Sequence, residues 1–108
     1  MTNTKSGVYV THIGIDRIYI RGEDATKYSE LPNVKVNERS IEKCGEDTLI
    51  RTFIMYFQNE REMIDFLQDF VDLDVPFTDD NKSTAYMTAC DLKKQGKLKG
   101  EILEYRLC

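Results

Sequence analysis

Apolar positions along the chain switch from alternation in the first half to helical spacing after residue 58. Val8-Tyr9-Val10-Thr11-His12-Ile13 and Ile18-Tyr19-Ile20-Arg21 are rich in β-branched and aromatic residues. With Gly14 to Arg17 between them, they predict a hairpin or one long strand bent at Gly14. Gly22 and the breaker Leu31-Pro32-Asn33 mark residues 22–33 as a loop. Val34 and Val36 alternate with Lys35 and Asn37, which predicts a short, half-exposed strand. Residues 38–47 follow no single period and end at the turn signal Gly45-Glu46-Asp47. Thr48–Phe57 is the strongest strand. Its apolar residues fall on both parities, as in a central strand covered by helices over its C-terminal half.

From Asn59 the spacing becomes helical. Met63, Phe66, Leu67 and Phe70 follow the i, i+3, i+4, i+7 pattern, and Ile64 and Val71 widen that face. Asn59 is a natural N-cap, and Glu62 three residues on makes a capping-box-like pair. The helix should stop near Leu73, because Pro76 disfavours a helical Val75. A second helix is predicted over residues 83–95. Ala85, Tyr86, Ala89 and Leu92 form its apolar side, Lys93 and Lys94 its last turn, and Gly96 its stop. Leu103, Tyr105 and Leu107 alternate with Glu104 and Arg106, which makes residues 101–107 a strand with one buried face.

The resulting order, β-β-β-β-α-α-β, predicts an α+β domain: an antiparallel sheet of about five strands with two helices packed on one face. A chain of 108 residues fits one such domain over residues 1–108, with the polar residues 1–6 frayed. No internal repeat or low-complexity segment interrupts it.

Charge changes this picture more than composition does. The net charge is −4 and the pI near 5.0, which argues against direct nucleic-acid binding and against affinity for anionic membranes. That mild total conceals strong polarity. Residues 59–81 hold eight acids and one base, residues 1–58 are neutral, and residues 82–108 hold six bases and three acids. Glu62, Asp65, Asp69 and Asp72 are spaced three, four and three apart, so they form one stripe beside the apolar helix face. Asp74, Asp79 and Asp80 extend the charge beyond it. Neighbouring like charges cost ~0.2–0.5 kcal/mol a pair, and Asp69 and Asp72 lie at the negative end of the helix dipole. Three explanations compete. The stripe is a solvated outer face, or it is neutralised internally by Lys82, Lys93, Lys94, Lys97 or Lys99, or it docks on a basic partner. A regular acid stripe could also occupy a site made for a phosphate backbone.

Other chemistry is sparse. Asp72, Asp74, Asp79 and Asp80 offer the oxygen ligands that Mg²⁺ and Ca²⁺ prefer, but as an EF-hand loop from Asp72 the segment has Phe77 where Gly is required and Ser83 where Glu is required. His12, the one histidine, falls by alternation on the face of Val8 and Val10. Cys44, Cys90 and Cys108 are odd in number and widely spaced, which predicts neither a disulfide framework nor a zinc site; Cys90 reads as core and Cys108 as exposed. The basic cluster Lys93–Lys99 lacks interleaved aromatics, and no phosphate-binding glycine motif or nucleophile elbow occurs. Tyr9, Tyr19 and Tyr28 are candidate surface anchors. The N-terminus has no signal-peptide pattern, and no run is long enough to span a membrane, so a cytoplasmic protein without a cofactor or metal is expected. The leading expectation is a small non-catalytic inhibitor or regulator. It would bind another protein through Glu62, Asp65, Asp69, Asp72, Asp74, Asp79 and Asp80. The alternatives are homo-oligomeric assembly through the oppositely charged segments and a divalent-metal-dependent hydrolase.

Overall fold

Segments rich in β-branched and aromatic residues pair into a sheet whose strands are β1 (Tyr9–Ile13), β2 (Arg17–Arg21), β3 (Val34–Asn37), β6 (Thr52–Tyr56), β7 (Phe77–Thr78) and β8 (Glu104–Tyr105). Strands β4 (Ile41–Lys43) and β5 (Asp47–Leu49) form a separate antiparallel hairpin. The helices are α1 (Glu60–Asp72) and α2 (Ala85–Lys94), and a short 3₁₀ helix covers Glu23–Tyr28. The structure is a computed structural model and describes residues 7–37, 41–43, 47–49, 52–79 and 84–105. Asp80, Lys82, Ser83, Cys44, Cys108, Leu107 and the N-terminal residues 1–6 lie outside the described residues.

The fold is α+β with a mixed six-stranded sheet in the order β3-β6-β2-β1-β7-β8. This corrects the expectation of an antiparallel sheet of about five strands. β3, β6, β2 and β1 pair antiparallel, but β7 runs parallel to β1, and β8 runs parallel to β7. The reason lies in the connections: a helix between two strands of one sheet returns the chain to the end where it started, so the strand after it runs parallel. Both β6–α1–β7 and β7–α2–β8 are such crossovers, and both advance the same way along the sheet. The right-handed rule for these units then puts both helices on one side. One hydrophobic cluster contains Ile18, Ile20, Phe53 and Met55 from the sheet, Met63, Leu67 and Phe70 from α1, and Ala85, Ala89 and Leu92 from α2.

Further differences follow from short or irregular elements. The segment expected as one strand over 48–57 divides: β5 belongs to the hairpin and β6 to the main sheet. β7 is two residues long, too short to show a period, and it lies between the two helices, where no strand is predicted. Of the strand expected over 101–107, residues 101–103 are not strand, and the described strand residues Glu104–Tyr105 pair with β7. A bulge between Val10 and His12 pairs Val10 with Ile20 but His12 with Tyr19. The extra residue turns His12 to the outer face, exposed and edge-on to Tyr19 at 5.2 Å, instead of the Val8–Val10 core face.

Candidate functional site

α1 starts as its sequence dictates. The Asn59 side-chain oxygen accepts the Glu62 N–H at 2.9 Å, and the Glu62 carboxylate accepts the Gln58 N–H at 3.4 Å. The reciprocal bond therefore goes to the residue before the cap, a shifted form of the capping box. Met63, Leu67, Phe70 and Val71 are buried, so Asp65, Asp69 and Asp72 are left exposed on the other side.

The helix ends in a Schellman motif. Val75 N–H bonds to Phe70 C=O at 2.9 Å and Asp74 N–H to Val71 C=O at 3.1 Å. Asp74 occupies the left-handed position with φ 61°, which glycine normally fills. Asp74 is thus part of the helix stop rather than of the stripe. Asp79 follows β7 and is half-buried. The structure therefore brings together Glu62, Asp65, Asp69 and Asp72. Asp74 belongs to the helix stop, Asp79 follows β7, and Asp80 is outside the described residues.

Neutralisation from within is slight among the described residues. Lys97 Nζ lies 3.9 Å from Glu60, at the first turn of α1 and off the stripe. A second ion pair, Arg17–Asp16 at 3.0 Å, is on the sheet. Asp72 accepts a hydrogen bond from Gln68 at 3.0 Å, and Gln68 also bonds both the N–H and the C=O of Lys99. That amide clamp ties the chain after α2 to α1 without delivering a cation to the stripe. No basic residue occupies the last turn of α1. No group of three or more His, Cys, Asp or Glu among the described residues could hold a metal ion.

Two features escape sequence reasoning. The first is a depression of 320 Å³ lined by Tyr28, Phe66, Asp69, Phe70, Asp72 and Leu73. Tyr28 comes from the 3₁₀ helix inside the segment expected as loop, and only the tertiary fold sets it against α1. Its ring meets Phe66 at 6.3 Å and Phe70 at 5.7 Å, and Phe66 meets Phe70 at 5.0 Å, all edge-to-face. Burial, and then the Asp69 charge, push the Tyr28 hydroxyl above its ordinary 10.0.

The second is the outer face of the sheet. The strand register aligns Lys35, Ile54, Tyr19 and His12 in one cross-strand row. Arg17 and Lys35 lie 5.3 Å and 5.5 Å from the centre of the Tyr56 ring. Arg21 shares this face, so an acidic helix surface and a basic, aromatic sheet surface stand on opposite sides of one core. Tyr9 is buried at 4% exposure and stacks on Tyr105 at 4.2 Å, so of the three tyrosine anchor candidates only Tyr19 and Tyr28 reach the surface. Cys90 is half-buried and packs against the core. No helix of the described residues is long and apolar enough to cross a membrane. No protein-family model, curated protein or solved structure matches the chain.

Proposed function

We propose that the protein is a small non-catalytic binding module that lays the outer face of α1 on a basic, nucleic-acid-facing surface of another protein and so inhibits or regulates it. One observation carries this reading. Asp65, Asp69 and Asp72 run along an exposed helix face and, among the described residues, form no ion pair. Glu62 has a local role at the helix start, and Asp74 has one at its stop. The three aspartates have no comparable one, apart from the single bond Asp72 accepts from Gln68. They repel one another, and two of them oppose the helix dipole. A row of acids with no internal ion pair among the described residues is suited to an external cation. The test is capture of host proteins on the immobilised wild type and on the Asp65→Asn/Asp69→Asn/Asp72→Asn variant. The reading predicts a protein held by the wild type alone and released by duplex DNA. Identical captured sets on both would refute it.

A second reading, self-association, draws on the opposed basic face. The α1 stripe of one copy would meet Arg17, Arg21 and Lys35 of the next, a head-to-tail contact. Sedimentation at low and high salt separates the two. Self-association gives salt-sensitive oligomers, and a monomer at both salt concentrations removes it.

A further inference from the structure

Beyond a general acidic surface, the last two turns of α1 carry a built receptor. We infer that the depression between Tyr28 and α1 seats one arginine side chain of the basic partner; this rests on the docking reading above and narrows it to a residue. Phe70 forms the floor at 1% exposure, and Phe66 and Tyr28 form half-buried walls. Leu73 closes the side while remaining 60% exposed, and Asp69 and Asp72 stand at the rim. At 320 Å³ the site is at the small end of ligand pockets and suits one side chain rather than a cofactor.

The charged and aromatic residues that line the depression all favour a cation. Aromatic faces attract cations, the two carboxylates are negative, and the C-terminal end of a helix is the negative end of its dipole. The molecule already shows the preference once: Lys27 Nζ lies 5.3 Å from the centre of the Tyr28 ring. Among cations the guanidinium fits best. It is flat and weakly hydrated, so it stacks on a ring with little desolvation cost, and its fork of donors can reach carboxylates one helical turn apart. An ammonium can also sit over a ring, as Lys27 does, but it is compact, strongly hydrated and lacks the flat fork that reaches two carboxylates at once.

The probes are Gly/Ser peptides with a single central arginine, lysine, citrulline or norleucine, titrated against the full chain by NMR. The arginine peptide should shift Phe66, Leu73 and Tyr28 resonances saturably, and the isosteric but neutral citrulline should not. Tyr28→Leu and the exposed-site variant Leu73→Ser should each weaken binding several-fold, toward tenfold for the lost ring. Asp72→Asn should weaken it several-fold, whereas Asp65→Asn, one equal charge outside the depression, should change it less than about twofold. Equal losses for Asp65→Asn and Asp72→Asn, with arginine and lysine alike, would overturn the pocket and leave the docking stripe standing. Norleucine binding as well as arginine would overturn the charge argument. No saturable arginine binding would overturn the pocket, and loss of the DNA-displaceable capture would separately overturn the docking reading.

Discussion

Replacing Asp65, Asp69 and Asp72 together by Asn should make the protein more stable. The exchange is nearly isosteric, and Asp and Asn have similar helix propensities, so charge is the main change. The amide oxygen introduced at position 72 can still accept the bond that Gln68 gives the Asp72 carboxylate at 3.0 Å in the wild type. Three like-charge neighbour pairs are relieved, Glu62–Asp65, Asp65–Asp69 and Asp69–Asp72, at ~0.2–0.5 kcal/mol each. Two charges leave the negative end of α1, at ~0.3–1 kcal/mol each in low salt. Their sum is roughly 1–3.5 kcal/mol, and screening at physiological salt brings it to about 1 kcal/mol. No ion pair among the described residues is lost in return. For a domain near 100 residues, ~1 kcal/mol raises the midpoint by roughly 4–8 °C. The assay is thermal unfolding by circular dichroism at low and high salt, and the gain should shrink as salt rises. A variant that melts below the wild type would mean that the aspartates hold the fold together, which would refute the claim that they lack a structural role.

Asp74→Gly should stabilise by about 0.5–1 kcal/mol in urea unfolding, because relief of the left-handed φ and of the charge at the helix end outweighs the added chain entropy. Asp74→Asn should recover the charge share alone, and no gain from either would contradict the Schellman assignment. Asn59→Ala should cost about 1 kcal/mol by removing the acceptor of the Glu62 N–H, also read by urea unfolding. Tyr28 has a hydroxyl raised above 10.0 in the fold. Its stabilising contribution is therefore full below that value and is lost as pH rises through the higher folded-state value. Tyr28→Phe should flatten the alkaline fall in stability, and Asp69→Asn should lower the Tyr28 phenolate titration only part of the way, since burial is the larger cause, measured as the difference absorbance between the chain with and without Tyr28.

How much of this is legible in the chain depends on element length and on what each element needs as a partner. α1 is long, strongly periodic and capped by its own residues, so its bounds and its acid stripe follow from spacing. β1 to β3 show alternation, and their positions follow from it. β7 and β8 are two residues each, below any period, and with them goes the parallel half of the sheet. Strict alternation puts His12 on the wrong face, because one bulge residue inverts every face downstream of it. Asp74 looks like one more acid in a run, and only its φ of 61° reveals the helix stop. The basic outer face and the Tyr28 depression join residues that are distant along the chain, and no local pattern encodes such a juxtaposition.

Docking of α1 by charge on a basic protein surface is put to the test by a salt series on the captured partner. Association constants would be measured by calorimetry for the wild type and for the Asp65→Asn/Asp69→Asn/Asp72→Asn variant. Wild-type affinity should fall steeply as salt rises, and the variant should bind weakly with a shallow slope. Equal affinity for both proteins, unchanged from low to high salt, would contradict it.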